Sequence, residues 1–401
     1  MKKLKKTNLK DFREHWTLCF NCGACYYHGP IVPHNWLELP LPEWSSPLHK
    51  CPSFEHFKFR AYTAAGRGSL AALVFDDNQF PITEELIKIV YTCTSCGMCS
   101  EICQLYQPLK ATWALREELV RRGVQLPEPL EKMHTNIEKF DNIYGPEKPP
   151  KAFEGIPATG EDVYFAGCNV RFREPKIVKA TVEVLKIAGL DIAHLGKKEI
   201  CCGSVAGHDG NTQLLEDKAV QNVEALKKAG AKRVIAACAG CYKTLKIDYP
   251  QIIGKLPFEV VHVTELLAKL IDEKKIKFTS EIKEQITYHD PCFLGRHCKV
   301  YDEPRKVLES IPGIELIEME RNRRWSFCCG GGAKITASCY PEFAAAVAKE
   351  RLLEGKQVAD TIVTGCTSCF SNMNKVVKTE GIELKIRDIS VLVAEAMGIK
   401  L

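Results

Sequence analysis

Residues 200–205 read ICCGSV and residues 327–332 read FCCGGG, two adjacent cysteine pairs, each followed by glycine, at a shift of 127 positions. Their surroundings repeat with them. ITYHDPC (286–292) answers DVYFAGC (162–168) at a shift of 124, TGCTSC (364–369) answers AACAGC (236–241) at 128, and RDISVLVAEAM (387–397) answers VHVTELLAKLI (261–271) at 126. Four matched segments in one order, with nearly constant spacing, mark a tandem duplication. Each unit carries short apolar runs that stop at a cysteine, as in DVYFAG (162–167) and RVIAAC (233–238), and EVVHV (259–263) reads as a buried strand. EPKIVKATVEVLKIAGL (174–190) has helical periodicity and ends at glycine, and Thr264 stands where an N-cap would open TELLAKLIDE (264–273). Short strands alternating with helices predict an α/β fold. Two tandem β/α domains are expected, packed about a pseudo-twofold axis.

The chain has 401 residues, long enough for two or three domains with cores of their own. A net charge of +5 is too balanced for a nucleic-acid binder. The first ten residues, MKKLKKTNLK, hold five lysines. A solvated end is expected there; docking to an acidic partner or an anionic membrane surface is the alternative. This stretch has no apolar h-region, so no signal peptide is expected, and no apolar run approaches the roughly eighteen residues that span a bilayer. A cytoplasmic location is expected, with membrane association only through a partner.

Twenty cysteines are the informative quantity. Without an export signal they read as metal or redox ligands and not as a disulfide framework. Eighteen fall into two systems, one within 19–103 and one split between 168–241 and 292–369. The segment 121–160 between them ends in proline and glycine and reads as a linker. The expected division is 1–125, a linker at 126–160, and the duplicated domains at 161–280 and 281–401.

In the first system, CFNCGAC places Cys19, Cys22 and Cys25, a cysteine–proline follows at Cys51, and CTSCGMCSEIC places Cys93, Cys96, Cys99 and Cys103. Three cysteines at three-residue intervals wrap a short loop around one cubane, and a distant fourth closes it. In two-cluster ferredoxins that fourth ligand comes from the other motif. Two [4Fe–4S] cubanes are therefore expected, one on Cys19, Cys22, Cys25 and Cys103, the other on Cys93, Cys96, Cys99 and Cys51, in a helical ferredoxin-like domain. Zinc, the rival, takes four ligands, usually as two separated pairs, and would waste a thiolate of each triplet. Two features depart from the compact pattern: the long gap from Cys25 to Cys51, and Gln104 where proline would follow Cys103.

The second system has five cysteines in each repeat: Cys168, Cys201, Cys202, Cys238 and Cys241, then Cys292, Cys328, Cys329, Cys366 and Cys369. Five thiolates exceed what one tetrahedral ion accepts, and adjacent side chains reach neighbouring atoms of a cluster more easily than a single atom. Each set reads as a polynuclear iron–sulfur site. Gly203 and Gly330 to Gly332 allow the backbone to turn tightly and offer N–H groups to sulfur.

The two five-cysteine sets resemble the CCG domain. Ferredoxin motifs ahead of two such domains resemble the D subunit of heterodisulfide reductase, in effect the ferredoxin-like C subunit fused to the catalytic B subunit. The architecture is also similar to the C subunit of anaerobic glycerol-3-phosphate dehydrogenase, lactate-utilisation iron–sulfur proteins, the DsrK protein of sulfate reducers and the heterodisulfide-reductase-like component of class II benzoyl-CoA reductase complexes. The resemblance implies that each five-cysteine set holds a noncubane [4Fe–4S] cluster, four clusters in all. It also implies that the pair cleaves a disulfide by successive one-electron steps, with Cys328, Cys329, Cys201 and Cys202 as cluster-borne catalytic positions. The expected partners are other redox subunits: a flavoprotein, a reductase or a membrane partner. The alternative is a non-catalytic conduit linking a flavoprotein or low-potential reductase to ferredoxin, quinone or a membrane partner.

Cys298 and Cys339 are expected as spare thiols. His208, His289 and His297 flank ligand loops, where a proton donor to a departing thiolate would serve disulfide reduction; a structural hydrogen bond is the expected role of each. The three arginines of ERNRRW (320–325) are balanced between an anion site and solvated charge. No GxGxxG fingerprint after a strand and no Walker loop is present, so no nicotinamide, flavin or nucleotide site is expected.

Overall fold

A computed structural model describes residue 19 and residues 51–103, 107–148 and 153–401. Each repeat forms a four-stranded parallel sheet. The first orders its strands β2-β1-β3-β4, with β1 Asp162–Phe165, β2 Ile192–Ala193, β3 Arg233–Ala236 and β4 Glu259–His262. The second orders them β6-β5-β7-β8, with β5 Glu284–His289, β6 Ile314–Leu316, β7 Thr361–Thr364 and β8 Lys385–Asp388. Tyr164 pairs with Ile235 in the first sheet and Tyr288 with Val363 in the second. The inner strands are buried along most of their length because helices cover both faces of a parallel sheet, and Val163, Tyr164, Phe165, Ile362 and Val363 are all buried.

The same strand order in both sheets is what the duplication predicts. In each, the chain leaves the central strand in one direction and returns on its other side, which opens a crevice at the carboxyl ends of β1/β3 and of β5/β7. The halves also share their cores. Val163 and Ala236 belong to one apolar cluster with Ile362 and Ile386, while Tyr164 and Ile235 belong to another with Tyr288 and Val363.

Thr264 is not the N-cap expected. His262 takes that place: its ring accepts from Thr264 N at 3.3 Å, while the Glu265 carboxylate accepts from His262 N at 2.7 Å. The equivalent helix Ile389–Ala396 is capped by Asp388, which accepts from Ser390 N at 2.9 Å.

Ahead of the sheets lie helices Ala64–Asp76, Glu84–Tyr91, Met98–Ile102 and Pro108–Arg121. Thr63 and Thr83 cap the first two, accepting from Gly66 N and Leu86 N. The segment read as a linker holds a further helix, Glu128–Phe140, whose Leu130, Met133 and Ile137 are buried against Leu115 and Leu119. Pro127 and Pro129 do not break it, since they stand at the helix start, where proline costs no hydrogen bond. Arg116 binds this layer to the sheets. Fully buried, it donates to the carbonyls of Val90 (2.9 Å), Cys93 (2.8 Å) and His208 (2.7 Å). Gly210, at φ +107°, is glycine of necessity, since a Cβ there would sit 2.4 Å from the Arg116 carbonyl oxygen. No helix among the described residues is long and apolar enough to cross a membrane.

Candidate metal centre

The cysteines of the second system stand at the switch points of the two sheets. Cys168 and Cys238 follow β1 and β3, and Cys292 and Cys366 follow β5 and β7. Gly167 (φ +74°) turns the chain where a Cβ would lie 2.5 Å from Cys241 Sγ. All ten cysteines line one cavity of ≈ 70 Å³. Within the first set, Cys202 and Cys241 have their sulfurs 3.4 Å apart, and Gly203 N donates to Cys201 Sγ at 3.4 Å. Within the second, Cys329 and Cys369 are 3.2 Å apart, and Gly330 N donates to Cys328 Sγ at 3.4 Å. The sets meet where Cys238 hydrogen-bonds Cys366. No disulfide joins any described cysteine.

Packing thiols this tightly lowers some and raises their neighbours. Contacts with Cys201 and then Cys241 pull Cys202 down to about 6; contacts with Cys292 and then Cys329 take Cys328 well below the usual thiol range. Their partners Cys241 and Cys292 are driven upward by the same contacts and by burial. Such a donor set suits a polynuclear iron–sulfur group, since each half offers more sulfurs than one tetrahedral ion accepts.

The loops that carry these cysteines are held by buried charge. The Glu199 carboxylate accepts from Ala166 N and Gly167 N, both at 2.9 Å, and so fixes the approach to Cys168. Burial alone would raise the Glu199 carboxyl, but His194, Arg171 and these N–H groups outweigh it and hold it below the usual range. In the second half, Arg305 clamps Asp290 with bonds of 2.8 and 2.9 Å. Lys334, in left-handed backbone at φ +75°, lines the cavity beside Cys238 and Cys366.

In the first system, Cys51 lies close enough to Cys93 to feel its charge, and Cys96 is buried and pushed up to about 11 by burial. Cys99 and Cys103 are half-buried at the two ends of Met98–Ile102. Cys19 is half-buried too, while Cys22 and Cys25 lie outside the described residues. The Cys93–Cys99 loop sits against the second five-cysteine set. Arg296 Nε donates to Cys96 O and its Nη1 to Ser326 O, both at 2.6 Å, and the Thr94 hydroxyl bonds Cys328. Beside this junction the His208 ring stacks on Phe293 at 4.7 Å, and the Trp113 ring stacks on His297 at 5.9 Å.

Of the smaller expectations, His208 and His297 make structural hydrogen bonds. His208 Nδ1 donates to Ser204 O while Nε2 accepts from Lys243 Nζ, and His297 Nε2 donates to Ser95 O. Cys298 and Cys339 stand outside the cavity lining, both pushed up to about 12, mainly by burial. Arg321 is committed to Glu350 and Glu354, Arg323 pairs with Asp302, and Arg324 lies over the Trp325 ring. Arg296, Phe293 and Lys334 were not singled out from the sequence, although all three lie close to the ligand motifs.

Family models match three regions of the chain: a cysteine-rich domain (CCG) at residues 163–246 and again at 286–374, and a 4Fe-4S dicluster domain at 14–105. The chain is 34% identical to the D subunit of the dihydromethanophenazine:CoB–CoM heterodisulfide reductase of Methanosarcina mazei, over 95% of this chain and 94% of that one. It is 32% identical to the EtfAB:quinone oxidoreductase of Syntrophomonas wolfei, over 77% of this chain and 47% of that one. A hypothetical protein from Helicobacter pylori shares the fold, with a TM-score of 0.57 at 11% identity, over 98% of this chain and 76% of that one.

Proposed function

Because the chain belongs to the CCG-domain iron–sulfur oxidoreductases typified by the D subunit of heterodisulfide reductase, we propose that it reduces a disulfide at the cavity its two repeats share. The observation that carries this reading is the convergence of ten thiols, five from each half, on one cavity. When bound, four [4Fe–4S] clusters would supply one-electron chemistry, two as cubanes in residues 1–125 and two as noncubane groups on the five-cysteine sets. In this reading residues 161–280 and 281–401 are the two CCG domains, related by a pseudo-twofold axis, and redox partner proteins deliver electrons to the first 125 residues.

The protein's own groups have definite tasks. Gly203 N and Gly330 N donate to ligand sulfurs and stabilise thiolate. Glu199 and Asp290 hold the turns that present Cys168 and Cys292. Phe293 closes the cavity with an apolar ring, and Lys334 offers a cation to an anionic substituent of the substrate. The reading is tested by assaying the purified protein with a reduced viologen and small disulfides: turnover is expected, abolished by Cys328→Ala. The absence of turnover with every disulfide would favour a conduit between redox partners. The likeness to an EtfAB:quinone oxidoreductase supports that second reading.

A further inference from the structure

The two repeats differ at the last residue of their central strands. At the 124-residue shift, Phe165 ends β1 and His289 ends β5, and both are buried. A ring nitrogen of His289 and the sulfurs of Cys329 and Cys369 all lie within 4.8 Å of one another. Arg351, itself fully buried, points Nε at His289 Nδ1 at 3.1 Å. A guanidinium has donors only, so Nδ1 must accept and the ring proton of the neutral imidazole sits on Nε2. That Nε2 is buried and has no hydrogen-bond partner among the described residues. A buried N–H left unmatched is costly, and such groups in native proteins ordinarily meet an ordered water or a bound group.

We propose that His289 Nε2–H is a hydrogen-bond donor to the sulfurs of the iron–sulfur group held by the second five-cysteine set. The Phe165 ring has no donor to offer the first set. Hydrogen bonds to cluster sulfur stabilise the more negative, reduced state and raise the potential. The second group is therefore the more easily reduced of the two, and it is also the one beside the Cys93–Cys99 loop. Arg351 is a positioning residue that fixes the tautomer.

The inference rests on the cluster reading above, and iron analysis reports on that reading separately. The experiment is a redox titration of the iron-loaded protein followed by electron paramagnetic resonance. Wild type is expected to show two distinct midpoints for the CCG-domain groups. His289→Phe, which copies the first repeat, should move the higher midpoint to more negative values at unchanged iron content, and His289→Gln, which keeps an N–H donor, should restore part of the shift. Phe165→His should raise the lower midpoint. Unchanged midpoints in His289→Phe with iron intact would overturn the proposal. So would iron loss in His289→Phe that His289→Gln does not rescue, which would make the histidine a ligand instead.

Discussion

The two repeats have the same strand order and the same five-cysteine pattern, yet different residues occupy their matched positions. The first repeat closes its central strand with Phe165 and caps its last helix with His262; the second uses His289 and Asp388. The first braces its leading cysteine through Glu199 and backbone N–H groups, the second through the Arg305–Asp290 clamp. Duplication kept what a sulfur-rich group demands of the chain, namely a strand end, a tight turn and a helix start. It left everything one residue further out free to diverge. Equivalent cysteines therefore need not have equivalent surroundings.

The comparison can be broken most directly at the ligands. If each repeat holds its own group, Cys202→Ala and Cys329→Ala should each remove about four iron atoms of about sixteen and leave the rest. A single shared group would make both variants lose the same iron, which iron and sulfide analysis would detect. Arg116→Met tests what fastens the helical layer to the first repeat. It strands three carbonyls and a buried contact, and a loss of about 3–5 kcal/mol in unfolding free energy is expected by denaturant titration.

The capping pair separates the repeats by pH. Burial lowers His262 to about 4 from 6.5, so the folded protein holds it neutral while the unfolded chain protonates it; its contribution is complete above pH 6.5 and is lost as pH falls toward 4. Burial raises Asp388 to about 7 from 3.8, so its contribution is complete below 3.8 and is lost as pH rises through 7. Each effect is of order 3 kcal/mol. Asp388→Asn, which keeps a cap, should stabilise the protein at pH 8 more than at pH 5, and His262→Asn should flatten the acid limb; urea midpoints across pH 4–8 would show whether the limbs belong to these residues. The smallest change is expected outside the matched pattern: Cys298→Ser and Cys339→Ala should cost about 1 kcal/mol or less in urea unfolding and leave iron content unchanged.

The duplication was legible because a cysteine at a strand end must recur wherever the strand recurs. The apolar runs at 233–238 and 259–263 likewise announced buried strands. What tied these parts together was not legible. Arg116 reaching His208 and Arg296 reaching Cys96 cross 92 and 200 residues, and no local period records a contact of that kind. His289 was visible as a histidine near a ligand loop, but its tautomer depends on Arg351, 62 residues away. The helix Glu128–Phe140 was hidden because the proline- and glycine-rich end of the 121–160 segment was taken to describe the whole of it.

The sulfurs of Cys329 and Cys369 stand 3.2 Å apart and those of Cys202 and Cys241 3.4 Å apart, so little movement would join either pair as a disulfide. An oxidant reaching the bare protein would therefore compete with iron for the same atoms, and each bridge formed would take two sulfurs from a set of five. The contact between Cys238 and Cys366 adds that neither set is complete in its surroundings until both repeats have folded. Keeping oxidant away until metal is bound is therefore expected to preserve all ten sulfurs, which iron analysis of protein loaded with and without air would show.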